Sequence, residues 1–317
     1  MRVSPTAAVL MGLATAMWGG HYVLASVASR ALSPFDLTFW RWLIAVIPLL
    51  LIAQLVERPD WRTVLRAWPR IVLLAALGML AYNLLLYTAL RFTTSIGASI
   101  VNAANPALMA LLGTWLLRER LGGRQVGGIA ISLIGVLLVI SGGSPLSLLS
   151  LDVNPGQLLM IGAIAAWSLY SIWGRVPGVP PIASTAAQAI VVVVAMAPLT
   201  PVAGLSWPTD AAASWSLLYI AILPSVGSYV LWNAALRTTP TGLAAIFLNL
   251  ITVFTVIIGA TTGERLAVVD MLGGTIIIAG VLVTSWPSRS ASGEPRSAAP
   301  APNAEPHDAE PHAARRD

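Results

Sequence analysis

Trp115-Leu116-Leu117-Arg118-Glu119-Arg120-Leu121 closes one long apolar run, and Gly259-Ala260-Thr261-Thr262-Gly263-Glu264-Arg265-Leu266 closes another. The two glutamates, each followed by Arg-Leu, stand 145 residues apart. Downstream the match continues at the same offset, where Gly128 and Gly135 correspond to Gly273 and Gly280. Upstream, with one gap, Ala89-Leu90-Arg91 corresponds to Ala235-Leu236-Arg237. Trp18 after Ala14-Thr15-Ala16-Met17 is echoed by Trp167 after Ala163-Ile164-Ala165-Ala166. A chain that repeats at roughly half its length is built from two structural units, and the number of spans per unit fixes how they face each other.

The solvent of those units is lipid. Hydrophobic residues make up 57% of the chain and charged residues only 10%, whereas a soluble domain carries about 25% charge. The first apolar run, near residues 5–28, is too long for a signal-peptide core and reads as a retained span. With no cysteine in the chain, disulfides and thiolate metal sites are excluded. All 18 basic residues are arginine and sit mostly in short loops. That placement fits membrane topology and gives no reason to expect a nucleic-acid partner.

A helix needs roughly 20 apolar residues to cross the hydrocarbon. Ten segments qualify, near residues 5–28, 36–56, 71–90, 96–117, 124–141, 155–175, 183–204, 213–236, 241–261 and 269–286. With the amino terminus in the cytoplasm, fourteen arginines fall inside, and Arg30, Arg41, Arg91 and Arg265 fall outside. Positive-inside asymmetry of this size predicts an even number of spans with both termini cytoplasmic. Five spans per half is odd, so residues 142–286 are expected to run upside down relative to residues 1–141. Glu119 and Glu264 would then end the fourth and ninth spans at opposite faces. Residues 287–317 are rich in Pro, Ala, Ser and mixed charge, which predicts a disordered cytoplasmic tail. His307 and His312 in that tail are too few to hold a metal. Arg58, Arg62, Arg66 and Arg70, at four-residue intervals, predict one stripe on a short interfacial helix touching lipid headgroups.

Ten spans, a duplicated half, Trp18-Gly19-Gly20 in the first span and Asn102 to Pro106 in the fourth resemble the drug/metabolite transporter superfamily. Within it, the acidic corner after each fourth helix, Glu119-Arg120-Leu121 and Glu264-Arg265-Leu266, is similar to that of EamA-type ten-helix metabolite transporters. The likeness covers about residues 5–286. It implies an all-α membrane protein of two inverted five-helix repeats in a bacterial cytoplasmic membrane. It also implies a substrate cavity lined by helices 1, 3, 4, 6, 8 and 9, with helices 5 and 10 peripheral.

Polar and aromatic groups inside spans are costly unless they face protein or water, so they mark the candidate cavity. His21 shares one face of the first span with Trp18 and Tyr22. As candidates it has structural bonding, substrate contact and proton coupling. Asn83 and Tyr87, one turn apart in the third span, align with Tyr229 and Asn233 in the eighth, so each half offers one amide and one phenol. Asn102 and Asn105 precede or adjoin Pro106, a proline that frees a backbone carbonyl within the span. Asn249 is a weaker counterpart in the ninth span. Trp167 and Tyr170 repeat the aromatic side of the first span, either as packing or as a wall for a moderately apolar solute. Arg41, aligned with Gln188, is expected to snorkel to the outer interface, with an anion-attracting role as the sharper alternative. Glu119 and Glu264 are expected to fix corners, with gating as the lesser option. Glycines at seven-residue spacing predict close packing by spans five and ten.

These features predict a secondary transporter, directed outward, of a small neutral or zwitterionic metabolite such as an amino acid. A drug-efflux or uptake carrier of the same superfamily is the nearest alternative. No phosphate-binding loop is present, so neither a nucleotide-hydrolysing subunit nor a cofactor is implied. No carboxylate lies mid-membrane, which disfavours an antiporter built on a buried acid, and too few deep arginines exist for sugar phosphates or nucleotides. An intramembrane enzyme would need an acid, base, nucleophile or metal sharing one site. The repeat-related glutamates, on opposite faces, do not supply it. A channel is the remaining, weaker alternative.

Overall fold

A computed structural model of the chain describes residues 4–118, 122–144, 154–174, 176–236, 238–239 and 247–285. Among these, all regular structure is helical. Eight helices are long and apolar enough to cross a membrane: α1 (Pro5–Ala28), α2 (Pro34–Glu57), α3 (Trp68–Ala89), α4 (Ser95–Leu116), α5 (Gly123–Ile140), α6 (Pro155–Trp173), α7 (Pro181–Ala203) and α8 (Ala211–Leu236). Two shorter apolar helices follow, α9 (Leu250–Thr261) and α10 (Val268–Ser285). The protein is a multi-pass, all-helical membrane protein, and each expected span has its helix. Residues 240–246 lie outside the described ones, so only the later turns of the ninth span appear.

Caps and prolines start the helices, and α2, α3, α7 and α8 thereby begin two or three residues before their apolar runs. Ser4 accepts from the Ala7 N–H ahead of Pro5, and Ser33 with Asp36 forms a capping box ahead of Pro34. Asn154 and Asp210 cap α6 and α8. Each cap satisfies backbone donors that would otherwise enter lipid or protein unpaired. Large apolar side chains such as Ile47, Leu51, Trp115 and Val202 point outward. In lipid that exposure is unremarkable; in water it would drive association.

The loops sort into two faces. On one, Arg91 Nη2 donates to Leu32 O, Asn154 Nδ2 to Phe92 O, Ser206 Oγ to Asp36 and Ser95 Oγ to Glu264. On the other, Glu57 accepts from the Ile182 and Ala183 N–H groups, and Arg70 donates to Trp173 O. Among the described residues, the first, third, fifth, seventh and ninth connections therefore share one face, and the second and sixth share the other.

The inversion is visible where α5 meets α10. A methyl group built on Gly135 would lie 2.8 Å from Gly273 O and from Ile277 N, and one on Gly280 would lie 2.6 Å from Gly128 O and 2.5 Å from Ser132 N. Residue numbers fall along α5 as they rise along α10, so the two helices are antiparallel. Shifting by 145 residues turns the pair Gly135–Gly273 into Gly280–Gly128, the same contact seen from the other repeat. Equivalent helices running in opposite directions about such a contact are related by a pseudo-two-fold axis.

The expected arginine stripe is corrected. Arg58 lies in a left-handed turn (φ 47°) outside any helix, and Asp60 then caps a short helix, Trp61–Arg66. That helix ends at Ala67, so Arg70 belongs to α3. Glycine-like backbone at Arg58 and the Asp60 cap break the run that even spacing suggested. Glu119, residues 145–153 and the residues from 286 on, with His307 and His312, lie outside the described residues.

Candidate functional site

Proline shapes the centre of the molecule before any side chain does. Pro224 has no N–H, so the Ile220 carbonyl one turn back loses its helical partner. Ser225 Oγ donates to that carbonyl at 2.6 Å, within a π-helical stretch of α8, Leu223–Gly227. The Pro224 carbonyl in turn accepts from Trp18 Nε1 of α1 at 3.2 Å. A matching π-helical stretch, Ala75–Ala81, lies in α3. Such wide turns are common where a helix carries a functional group. α4 is broken at Ala103–Ala104, with Asn105-Pro106 opening its second part, and 145 residues later Leu248–Asn249 form the turn that precedes α9.

Arg41 of α2 reaches this centre and does not snorkel. It is only 4% exposed. Its Nε donates to Ser225 Oγ at 2.7 Å, and its Nη1 donates to Asn83 Oδ1 at 2.6 Å and to the Tyr87 hydroxyl at 2.8 Å. The same Nη1 lies 3.1 Å from His21 Nε2, which is 3.0 Å from the Tyr87 hydroxyl. Asn83 also donates to the Met79 carbonyl within its own helix. One guanidinium thus ties α1, α2 and α3 of one repeat to α8 of the other. The outward-turned arginine expected from its place near a span end is corrected: inside the protein, four neutral acceptors compete successfully with the interface.

Aromatic rings flank this knot on both sides. Trp18 packs edge-on to Tyr229, with centroids 5.8 Å apart, and against Trp232 at 5.5 Å. Tyr82, Trp167 and Tyr170 form a run with centroid separations of 5.1 Å. The Tyr22 and Tyr82 hydroxyls are 3.0 Å apart. Each cluster draws rings from both repeats. Asn105 accepts from Ser168 of α6 at 3.0 Å, whereas Asn102 and Asn233 are half-buried on α4 and α8. Asn249 sits in the turn that precedes α9.

The structure therefore brings Trp18, His21, Tyr22, Asn83, Tyr87 and Arg41 into one neighbourhood, with Trp167, Tyr170 and Tyr229 around it. Glu264 is not part of it. Its Oε2 accepts from Ser95 Oγ at 2.8 Å and from the Ile96 N–H at 3.3 Å, at the start of α4. A cavity of about 430 Å³ opens there, lined in part by Arg30, Arg91 and Glu264. Sequence reasoning missed Tyr82, Ser225 and Trp232. A signal existed for Ser225, because Pro224 interrupts the eighth span just as Pro106 interrupts the fourth.

A model of the EamA-like transporter family matches the chain twice, over residues 5–141 and 154–286. The uncharacterized transporter YyaM of Bacillus subtilis (strain 168) is 27% identical over 84% of this chain and 89% of its own. A Salmonella typhimurium (strain LT2) protein named a probable amino-acid metabolite efflux pump is 26% identical over 86% of this chain and 92% of its own. One solved crystal structure, 23% identical in sequence, superposes on 89% of this chain and 98% of that one with a TM-score of 0.59, a likeness of fold.

Proposed function

Since the chain belongs to the EamA-like transporter family, we propose that it exports a small neutral or zwitterionic metabolite, such as an amino acid, by alternating access. The observation that carries this reading is the polar knot around Arg41, buried at the junction of the two repeats and walled by aromatic rings from both. Inverted repeats that meet at a mid-membrane site open it to either face by rocking against each other. Trp18, His21, Tyr22, Asn83, Tyr87, Asn102, Asn105, Trp167, Tyr170, Tyr229, Asn233 and Asn249 contact or surround the solute. Pro106 gives α4 the break on which it bends, and Glu264 and Glu119 hold the two fourth-helix corners. The repeats are residues 1–141 and 142–286, followed by a cytoplasmic tail. The protein sits in the bacterial cytoplasmic membrane with both termini inside, the face richest in arginine. The printed name of the Salmonella relative supports amino-acid metabolites as the first solutes to test.

Purified protein in proteoliposomes loaded with a mixture of the standard amino acids tests this directly. Saturable release, accelerated by unlabelled solute on the opposite side, is the expected result. Release that rises linearly with concentration for every amino acid, without counterflow, would remove the carrier reading and favour a pore.

A further inference from the structure

Resting on that reading and narrowing it, the geometry points to Arg41 as the docking point for a carboxylate on the transported solute. The side chain is 4% exposed, and guanidinium keeps its charge in any protein environment. All of its hydrogen-bond partners among the described residues (Ser225, Asn83, Tyr87 and His21) are uncharged acceptors. No described carboxylate pairs with it. A buried cation without a counter-ion is costly, because neutral dipoles replace only part of the lost hydration.

The bonds are also lopsided. Nε and Nη1 make all four contacts, and Nη2 donates to none of the described residues. Held through Nε and Nη1 by three helices and lying 4.7 Å over the Trp42 ring, the guanidinium keeps the two N–H groups of Nη2 without a partner among the described residues. A fixed, charged donor with two free N–H groups on one nitrogen is suited to a carboxylate oxygen. The repeat symmetry strengthens the assignment. Gln188 occupies the equivalent place on α7, is equally buried, and bonds Ser184 at 3.0 Å. The fold therefore accommodates a neutral side chain at this position, so helix packing alone does not call for a charge. One cation matches one negative charge, and the aromatic rings beside it take an apolar or ammonium-bearing remainder.

The test compares amino acids with their primary amides, which keep the ammonium group and side chain but replace the carboxylate by a neutral amide. Full-length protein in proteoliposomes is loaded with the standard amino acids or with the matching amides, and release is read by mass spectrometry. Wild type should release the acids at least roughly tenfold more efficiently than the amides. Arg41→Gln should lower acid transport roughly 10- to 100-fold, the range of one charge-assisted hydrogen bond. Amide transport should fall several-fold less than acid transport, and Arg41→Lys should recover part of the acid-specific loss. Equal transport of acids and amides by wild type overturns the assignment while leaving the carrier reading intact, and needs no variant to fold. An equal loss of both by a well-folded Arg41→Gln protein also overturns it. If wild type moves neither set, the amino-acid reading fails and this assignment fails with it.

Discussion

His21 is held so that its hydrogen-bonding state is fixed by its neighbours. Arginine has no acceptor, so His21 Nε2 must accept from Arg41 Nη1, and the ring proton belongs on Nδ1. The nitrogen that a transported proton would occupy already carries an arginine hydrogen bond. His21→Ala should therefore weaken transport by loosening Arg41, while its pH profile between about 5.5 and 8 follows wild type, the interval in which a free imidazole titrates. A step near the ordinary histidine range that vanishes in the variant would restore proton coupling. Asn83→Ala removes one acceptor from the guanidinium, and should lower stability by about 1–2 kcal/mol, read as a fall in melting temperature in detergent. Part of this neighbourhood was legible in the sequence. His21, Asn83 and Tyr87 stand out because lipid makes any polar side chain in a span conspicuous. Arg41 was misjudged because it is the eighth residue of α2, about 10 Å from the helix start, a depth from which a long side chain reaches either the interface or the core. Only the positions of α1, α3 and α8 decide between them.

Close helix contact is the reason for the glycines of α5 and α10, and it has a graded consequence. At Gly280 a methyl would meet backbone atoms of Ser132 and Gly128 within 2.6 Å, whereas at Gly127 it would meet nothing within 4 Å. Backbone cannot swing aside as a flexible side chain does, so the two helices must separate. Gly280→Ala should destabilise by about 1–3 kcal/mol, and Gly127→Ala should be neutral or slightly stabilising through helix propensity. Equal melting temperatures for the two would show that α5 and α10 are not packed as described. Glu264 acts across repeats in a related way, joining the corner after α9 to the first turn of α4. Glu264→Ala should cost about 0.5–2 kcal/mol, the worth of a helix cap, and Glu264→Gln should recover much of it because the amide oxygen still accepts from Ser95. Spacing announced the glycine contacts, since seven residues return to one helix face. It misled at Arg58 to Arg70, where Asp60 and a left-handed turn interrupt the helix. The break at Ala103–Ala104 and the turn at Leu248–Asn249 were half legible: Pro106 marks the first, but the second has no proline to mark it.

The repeat arithmetic reached the architecture because inversion follows from parity. Five crossings return the chain to the opposite face, so the same helical bundle, built again, must be upside down. The structure adds the pseudo-two-fold contact of α5 with α10, and it groups the ends of the helices into two faces independently of charge. Which face is cytoplasmic is then a separate question, on which the expectation rests on arginine distribution alone, and it is open to a direct measurement because the chain has no cysteine. Leu65 lies on the short helix after α2, beside Arg62 and Arg66, and Thr209 lies in the connection before α8; both are exposed. In intact bacteria, a membrane-impermeant maleimide should label Thr209→Cys at once and Leu65→Cys only after the membrane is permeabilised. The four arginines from Arg58 to Arg70 stand on the second of these faces, and dragging them through the bilayer is what the positive-inside preference opposes. Labelling in the reverse order would put that arginine-rich face outside, and both termini with it. The inverted fold would survive such a result unchanged. The outward direction of transport would lose its frame of reference, because the cavity beside Glu264 would then open to the cytoplasm.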